Sequence, residues 1–223
     1  PSVELAARGT ARLKAFGPDL LIALGGGSAM DCAKAMAYFS GTDAPLAAIP
    51  TTSGSGSEVT DFAVLTHGKT KYPLVDPRLR PKLAILDSDL LRELPPALIA
   101  DTGFDVLTHA VESATAPGAG TIPGLLAAEA FRTAYACLPA SYAGDTSVRL
   151  RLHMASTLAG IAFSHTGLGL CHAMSHALGA RFHVPHGRLN AILLPAVIAS
   201  NAQGAGSGYA RLARAAGLGG SAD

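Results

Sequence analysis

No tryptophan occurs in the 223 residues, aromatic side chains make up 5% of them and charged ones only 15%. Seventeen basic groups face sixteen acidic ones, for a formal charge of +1. That leaves no basic stripe interleaved with aromatics for nucleic acid and no polybasic surface for a membrane. No apolar run reaches the ~20 residues a membrane-spanning helix needs. The opening stretch PSVELAARGTARLKAFG has no apolar core of the secretory kind. Cys32, Cys137 and Cys171 are odd in number and lack CxxC spacing, which argues against a disulfide framework and for a reducing compartment. What is abundant is apolar character, 49% of the chain, enough to build one large domain or two modest ones. The expectation is a soluble, cytoplasmic, globular protein with neither nucleic-acid nor membrane partners. The chain opens on Pro1 and stops in GLGGSAD, as a segment of something longer would.

The N-terminal texture is that of an α/β protein. LLIAL (20–24) is a compact apolar run before a glycine turn, and a helical stretch follows it through residue 40. PLAAIP (45–50) and PKLAILDSDLL (81–91) read as further buried strands, the latter ending near Asp87. Strands alternating with helices predict a parallel sheet. Beyond Asp87 the period becomes helical, with helices expected at about 96–115, 122–138, 147–165 and 168–181. This divides the chain into an α/β unit over 1–88 and an all-α unit over 89–223. The stretch GSGYARLARAAG near the end reads as a further helix just beginning.

Two loops could hold a phosphate. GGGS (25–28) lies between a strand and a helix, where backbone amides and the helix dipole favour an anion and glycine permits close approach. Ser28 and Asp31 have capping-box spacing, with Asp in place of Glu or Gln. PTTSGSGSE (50–58) supplies hydroxyls from Thr51, Thr52, Ser53, Ser55 and Ser57. Successive strands of an open parallel sheet bring such loops to one edge. Taken alone, GGG is also compatible with a tight turn and a capped helix.

Four of the eight histidines crowd into CHAMSHALGARFHVPHG (171–187). His172 and His176 are spaced i, i+4, as are Asp105 and His109 in DTGFDVLTHAVE, so each pair shares a helix face. Three imidazoles and a carboxylate suit a borderline divalent ion, Fe²⁺ or Zn²⁺. Taken alone, the Asp105–His109 pair reads as a helix-start carboxylate beside a surface imidazole. A HExxH metalloprotease is excluded, because Ala173 follows His172 and leaves no general base.

With these motifs in place the sequence resembles the iron-containing (group III) alcohol dehydrogenases. The resemblance runs through PDLLIALGGGSAMDCAK, IPTTSGSGSEVT, KYPLVDP, AILDSDLLRELPP, DTGFDVLTHAVE and GLCHAMSHALGARFHVPHGRLNAILLP. Within the family the sequence is most similar to the alcohol dehydrogenases of bacterial ethanolamine and propanediol utilisation, whose setting would be cytoplasmic or a microcompartment lumen. The resemblance implies an N-terminal dinucleotide-binding α/β domain, lacking here the family's first strand–helix unit. A helical metal-binding domain follows, incomplete at its C-terminus. It implies reversible hydride transfer between a short-chain primary alcohol and NAD or NADP, with NAD favoured, in a homodimer or higher homo-oligomer.

Carried over motif by motif, Asp105, His109, His172 and His186 would bind the metal, and His176 would be a non-ligand active-site histidine that relays a proton. Gly26, Gly27, Ser28 and Asp31 would meet the pyrophosphate and ribose, Thr51, Thr52 and Ser55 the same cofactor from the second loop, and Lys71 would lie near it. Phe62 and Phe163 are candidates for the pocket wall or for ordinary core. His183 is expected at a loop or pocket rim, His67 in solvent, and His153 at the surface or between helices. His165 stands where relatives usually carry Asn.

Three other readings compete. A lyase of the dehydroquinate synthase type would need basic residues for a polyanion, yet residues 101–186 hold only Arg132, Arg149, Arg151 and Arg181 and no lysine. A metal-dependent hydrolase leaves the two phosphate loops unexplained. A non-catalytic relative is the third.

Overall fold

The computed structural model describes residues 1–219. Helix α1 (Val3–Phe16), which the sequence reading did not anticipate, is capped by the Ser2 hydroxyl accepting from Leu5 N–H and closes at Gly17, φ 61°. Strand β1 (Leu21–Gly25), helix α2 (Gly27–Ser40) and strand β2 (Leu46–Pro50) then form a parallel βαβ unit, registered from Leu21–Leu46 to Gly25–Pro50. An antiparallel hairpin of β3 (Phe62–His67) and β4 (Thr70–Val75) follows, also unanticipated, turning at Gly68 with φ 58°. Strand β5 (Leu83–Ala84) joins β2 in parallel, giving the order β1-β2-β5. The third expected strand is thus present but short, and Asp87 begins a 3₁₀ turn by accepting from Asp89 N–H.

Helix α2 covers one face of this sheet, packing Met30 and Ala33 on Ala23, Leu46 and Ala48. It does not start as the Ser28–Asp31 spacing predicts. Gly26 is the N-cap, and no side chain caps the helix. Asp31 is instead committed elsewhere: it accepts from the Ser57 hydroxyl at 2.8 Å and from Val64 N–H at 2.9 Å. One turn along, the fully buried Lys34 ammonium donates to Thr60 O, Thr60 Oγ1 and Phe62 O at 2.9, 3.1 and 2.9 Å. Three donors on an ammonium match three acceptors, so Asp31 and Lys34 together clamp the second loop and the hairpin onto α2.

The helical part comprises α3 (Pro96–Thr115), α4 (Thr121–Tyr142), α5 (Arg149–Thr166), α6 (Leu170–Phe182) and α7 (His186–Ala215). The four expected helices match α3 to α6 except at their ends. Helix α3 is central, packed against α4, α5 and α7. Small side chains at those interfaces (Ala110, Ala130, Ala134, Ala155 and Ala159, all fully buried) let the backbones approach closely. The tail is corrected: GSGYARLARAAG is not a new helix but the end of the 30-residue α7, whose apolar face continues through Leu212. Of the two places expected for His153 the surface is excluded: it is wholly buried on α5, and its Nδ1 meets the Ser53 hydroxyl at 2.9 Å. No helix of the described residues is long and apolar enough to cross a membrane.

Two predictions follow from these placements. Burial lowers the Lys34 pKa to about 8 against the pull of Asp31, Glu58 and Asp61. An unfolded lysine titrates near ~10.4, so between these values the unfolded state holds more protons and the contribution of Lys34 to stability rises with pH. Lys34→Met should lower stability by about 2 kcal/mol at neutral pH, leaving buried carbonyls unpaired. The margin of wild type over variant should widen from pH 8 to 10 in urea titrations. Gly204 lies inside α7 and a Cβ there would meet nothing within 4 Å; Gly204→Ala should therefore stabilise by about 0.5–1 kcal/mol in the same assay.

Candidate metal centre and dinucleotide loops

Asp105 sits in the middle of α3, not at a helix start, and is buried together with His109 one turn later. Helix α6 brings His172, and the first residue of α7 is His186. Their Nε2 atoms stand 3.7, 3.5 and 3.6 Å from one oxygen, Asp105 Oδ1. Donors arranged tetrahedrally at ~2.1 Å from an ion lie ~3.4 Å apart, so the spacing fits one divalent cation. Asp105, His109 and His172 offer ligand atoms within 4.8 Å of one another, with His186 joining through Asp105. Burial opposes ionisation of Asp105, yet the surrounding imidazoles of His109, His172 and His186 hold its carboxyl far below the usual range. A buried anion ringed by imidazole nitrogens is a cation site in its chemistry.

The rings are held before any ion arrives. Phe163 stacks on His109 at 4.4 Å between centroids, and His109 stacks on His172 at 4.6 Å. Phe62 meets Phe163 edge-on at 6.0 Å, so both expected phenyl rings adjoin the site. The approach of α7 to α3 is set by Gly187, where a Cβ would stand 1.7 Å from the Asp101 carbonyl oxygen. Arg188 adds a two-bond ion pair to Asp101, at 3.0 and 3.1 Å.

His176 is half-buried, its ring 4.9 Å from that of His186. Burial first, then His186 and His172, lower its pKa to about 4. His183 caps α6 in the left-handed region (φ 56°), is exposed, and takes no part. His67 is exposed beside Glu4. His165 is exposed and turned back onto the Ile161 carbonyl at 2.8 Å. Lys71 on β4 lies over α6, its Nζ 3.5 Å from where a Cβ of Gly179 would be. Burial lowers its pKa while Asp105 raises it, so Lys71 faces the metal side of the site.

The two phosphate-type loops do meet. Thr51 N–H donates to Gly25 O at 2.9 Å. A Cβ on Gly26 would touch Thr52 Oγ1 at 3.2 Å, and one on Gly27 would crowd Ser55 at 3.0 Å. The uncapped start of α2, with Ser28 in its first turn, therefore faces Thr51, Thr52 and Ser55. Ser53 and Ser57 are not free donors as expected: both are buried, bonded to His153 and Asp31. The same loop is seated on the helices. Gly54 packs on Thr102 of α3, and Gly56 (φ 61°) on Gly160 of α5, where a Cβ would stand 2.7 Å from Cα.

Two buried residues at the candidate metal centre carry roles that the sequence reading did not assign. Asn190 Nδ2 donates to Asp105 Oδ1 at 2.8 Å, and its Oδ1 accepts from the Ser175 hydroxyl. Glu112 meets His172 from behind. Its i+3 spacing from His109 was a readable signal; that of Asn190 (i+4 from His186) was too. Gly187→Ala should disrupt this convergence, lowering stability by about 1–3 kcal/mol and reducing bound metal in elemental analysis of the purified protein.

Residues 1–88 match the family described as iron-containing alcohol dehydrogenase, and residues 99–223 the C-terminal part of the Fe-containing alcohol dehydrogenase family. The 1-propanol dehydrogenase PduQ of Salmonella typhimurium is 46% identical over 98% of this chain and 62% of its own length. The NADPH-dependent butanol dehydrogenase of Clostridium saccharobutylicum is 42% identical over 99% of this chain and 62% of its own. An iron-containing alcohol dehydrogenase structure from Thermococcus thioreducens superposes with a TM-score of 0.92 at 41% identity, covering 98% of this chain and 64% of that one. The chain thus spans just under two thirds of the relatives it matches. Matching from end to end in both sequence and fold, the chain belongs to the iron-containing alcohol dehydrogenase family.

Proposed function

We propose that the protein containing this chain interconverts a short-chain primary alcohol and its aldehyde with NAD or NADP, NAD favoured. The divalent ion would be Fe²⁺, or Zn²⁺ where supply favours it, held by Asp105, His109, His172 and His186. One observation carries this reading: a buried carboxylate oxygen lies within 3.7 Å of three imidazole nitrogens in helices against which a glycine- and hydroxyl-rich loop is seated. When bound, the ion would supply a Lewis acid for the alcohol oxygen and the nicotinamide an acceptor for the hydride.

The protein's residues divide the remaining work. The amides of Gly26, Gly27 and Ser28 at the start of α2 suit a pyrophosphate, and Thr51, Thr52 and Ser55 offer hydroxyls beside it. Asp31 supports this region through Ser57 and the hairpin. His176, held neutral by burial and by the neighbouring imidazoles, has a lone pair with which to take the alcohol proton and pass it outward. Lys71 puts positive charge on the same side. Phe163 and Phe62 form an apolar wall that offers no hydrogen bond to a second hydroxyl, so a small apolar alcohol is preferred to a diol.

The lyase reading needs several basic groups for a polyanion, but Arg132 is paired with Glu129 and Arg149 with the Leu91 carbonyl. The decisive assay is aldehyde-dependent oxidation of NADH and NADPH across C2–C4 aldehydes by the metal-loaded, full-length protein. Turnover is expected, and His172→Ala should lose it together with the metal; a fully loaded protein without turnover refutes the proposal. A kcat/KM for 1,2-propanediol above that for 1-propanol would remove the apolar-wall argument alone.

A further inference from the structure

The face of α3 that carries Asp105 and His109 continues one turn to Glu112, at i+7 and i+3 from them. Glu112 is only 5% exposed, an unfavourable place for a carboxylate unless it is well hydrogen-bonded. Three donors meet it. Glu112 Oε1 accepts from Cys171 N–H at 2.7 Å, and Oε2 from Gly169 N–H at 3.0 Å and from His172 Nδ1 at 2.6 Å. Gly169 has to be glycine for this: a Cβ would lie 2.9 Å from Glu112 Oε1.

These bonds join two tasks in one side chain. Helix α6 begins without a cap of its own, since its N-cap is Gly169; Glu112 reaches across from α3 to take two of its first amides. The same carboxylate takes Nδ1 of His172. An ionised carboxylate only accepts, so Nδ1 must carry a proton, and in the neutral tautomer the lone pair is left on Nε2, the nitrogen that faces Asp105. The arrangement is specific to one ligand. His109 Nδ1 and His186 Nδ1 are buried with no hydrogen-bond partner, so among the three ligand imidazoles His172 alone has an anion behind it.

We propose that Glu112 is the positioning residue of the metal centre. It fixes the tautomer and orientation of His172, raises the basicity of its Nε2, and ties that nitrogen's position to the start of α6. This rests on the reading of Asp105, His109, His172 and His186 as a metal site. A carboxylate in this role contributes about 10–100-fold to metal affinity. A carboxylate that merely capped α6 would contribute to the stability of the metal-free protein and nothing to its affinity.

The test uses the full-length protein stripped of metal and titrated with Zn²⁺ against a chromophoric chelator, with thermal unfolding of the same metal-free samples. Glu112→Gln keeps the shape but not the charge, and should weaken Zn²⁺ binding about 10–100-fold. Wild-type affinity in this variant, with or without a lower Tm, overturns the proposal. A second measurement needs no variant: ¹⁵N NMR of the imidazoles in the Zn²⁺-loaded wild type should show His172 protonated at Nδ1 and metal-bound at Nε2. Binding through Nδ1 overturns it even if Glu112→Gln fails to fold. A wild type that binds no stoichiometric Zn²⁺ overturns the metal-site reading itself, and the role of Glu112 with it.

Discussion

The arrangement of the helices depends on one buried charge. Asp105 places a carboxylate in the middle of the most enclosed helix, where an unpaired anion would be far too costly to keep. The structure surrounds it with imidazoles from α3, α6 and α7, so the three helices cannot shift independently without stranding the charge. Gly187 allows α7 to reach it, and the Phe163–His109–His172 column holds the rings in place. Glu112 repeats the logic one turn along, a second buried anion whose partners are the start of α6 and the far side of His172.

The α/β part is joined to this centre by contact rather than by a linker. The loop after β2 runs between the two parts, and almost every residue in it is committed. Ser53 bonds His153, and Glu58 accepts from Thr157, both on α5. Gly54 and Gly56 lie against α3 and α5 where no side chain would fit. On its other side Asp31 and Lys34 grip the same loop from α2. The hydroxyls left over, Thr51, Thr52 and Ser55, are those facing the glycine turn. In the proposed reading, the loop that would meet the dinucleotide is itself seated on α3 and α5 beside the ligand-bearing helices.

The chemistry of the wall matters as much as the ligands. Phe163 belongs to both the packing and the site: it is buried, it stacks on a ligand imidazole, and Phe62 supports it from the hairpin. Its packing role is thus plain, and a pocket-wall role is part of the proposed function. In the proposed reading, the ring that stiffens the ligand shell would also deny a polar partner to a second hydroxyl.

Local pattern in the sequence determined the elements: apolar runs beside glycine for the strands of the βαβ unit, a 3.6 period for α3 to α6, and i, i+4 pairs for the histidines and Asp105. Those signals survive in one chain because they concern residues a turn or a strand apart. The family resemblance added which imidazoles belong together. Tertiary structure decided the rest. Ser28 and Asp31 have capping spacing, but the Ser57 hydroxyl and Val64 N–H compete successfully for the carboxylate. Ser53 and Thr52 are indistinguishable neighbours by type, yet a histidine a hundred residues away claims one of them. His153 looks like any helix-surface imidazole until α5 packs it inward, and the glycines of the tail look like a break until the continuing apolar face of α7 overrides them. Glu112 and Asn190 reach the candidate metal centre only because distant helices converge on it. Burial and long-range partnering are properties of the packed chain, and no window of sequence contains them.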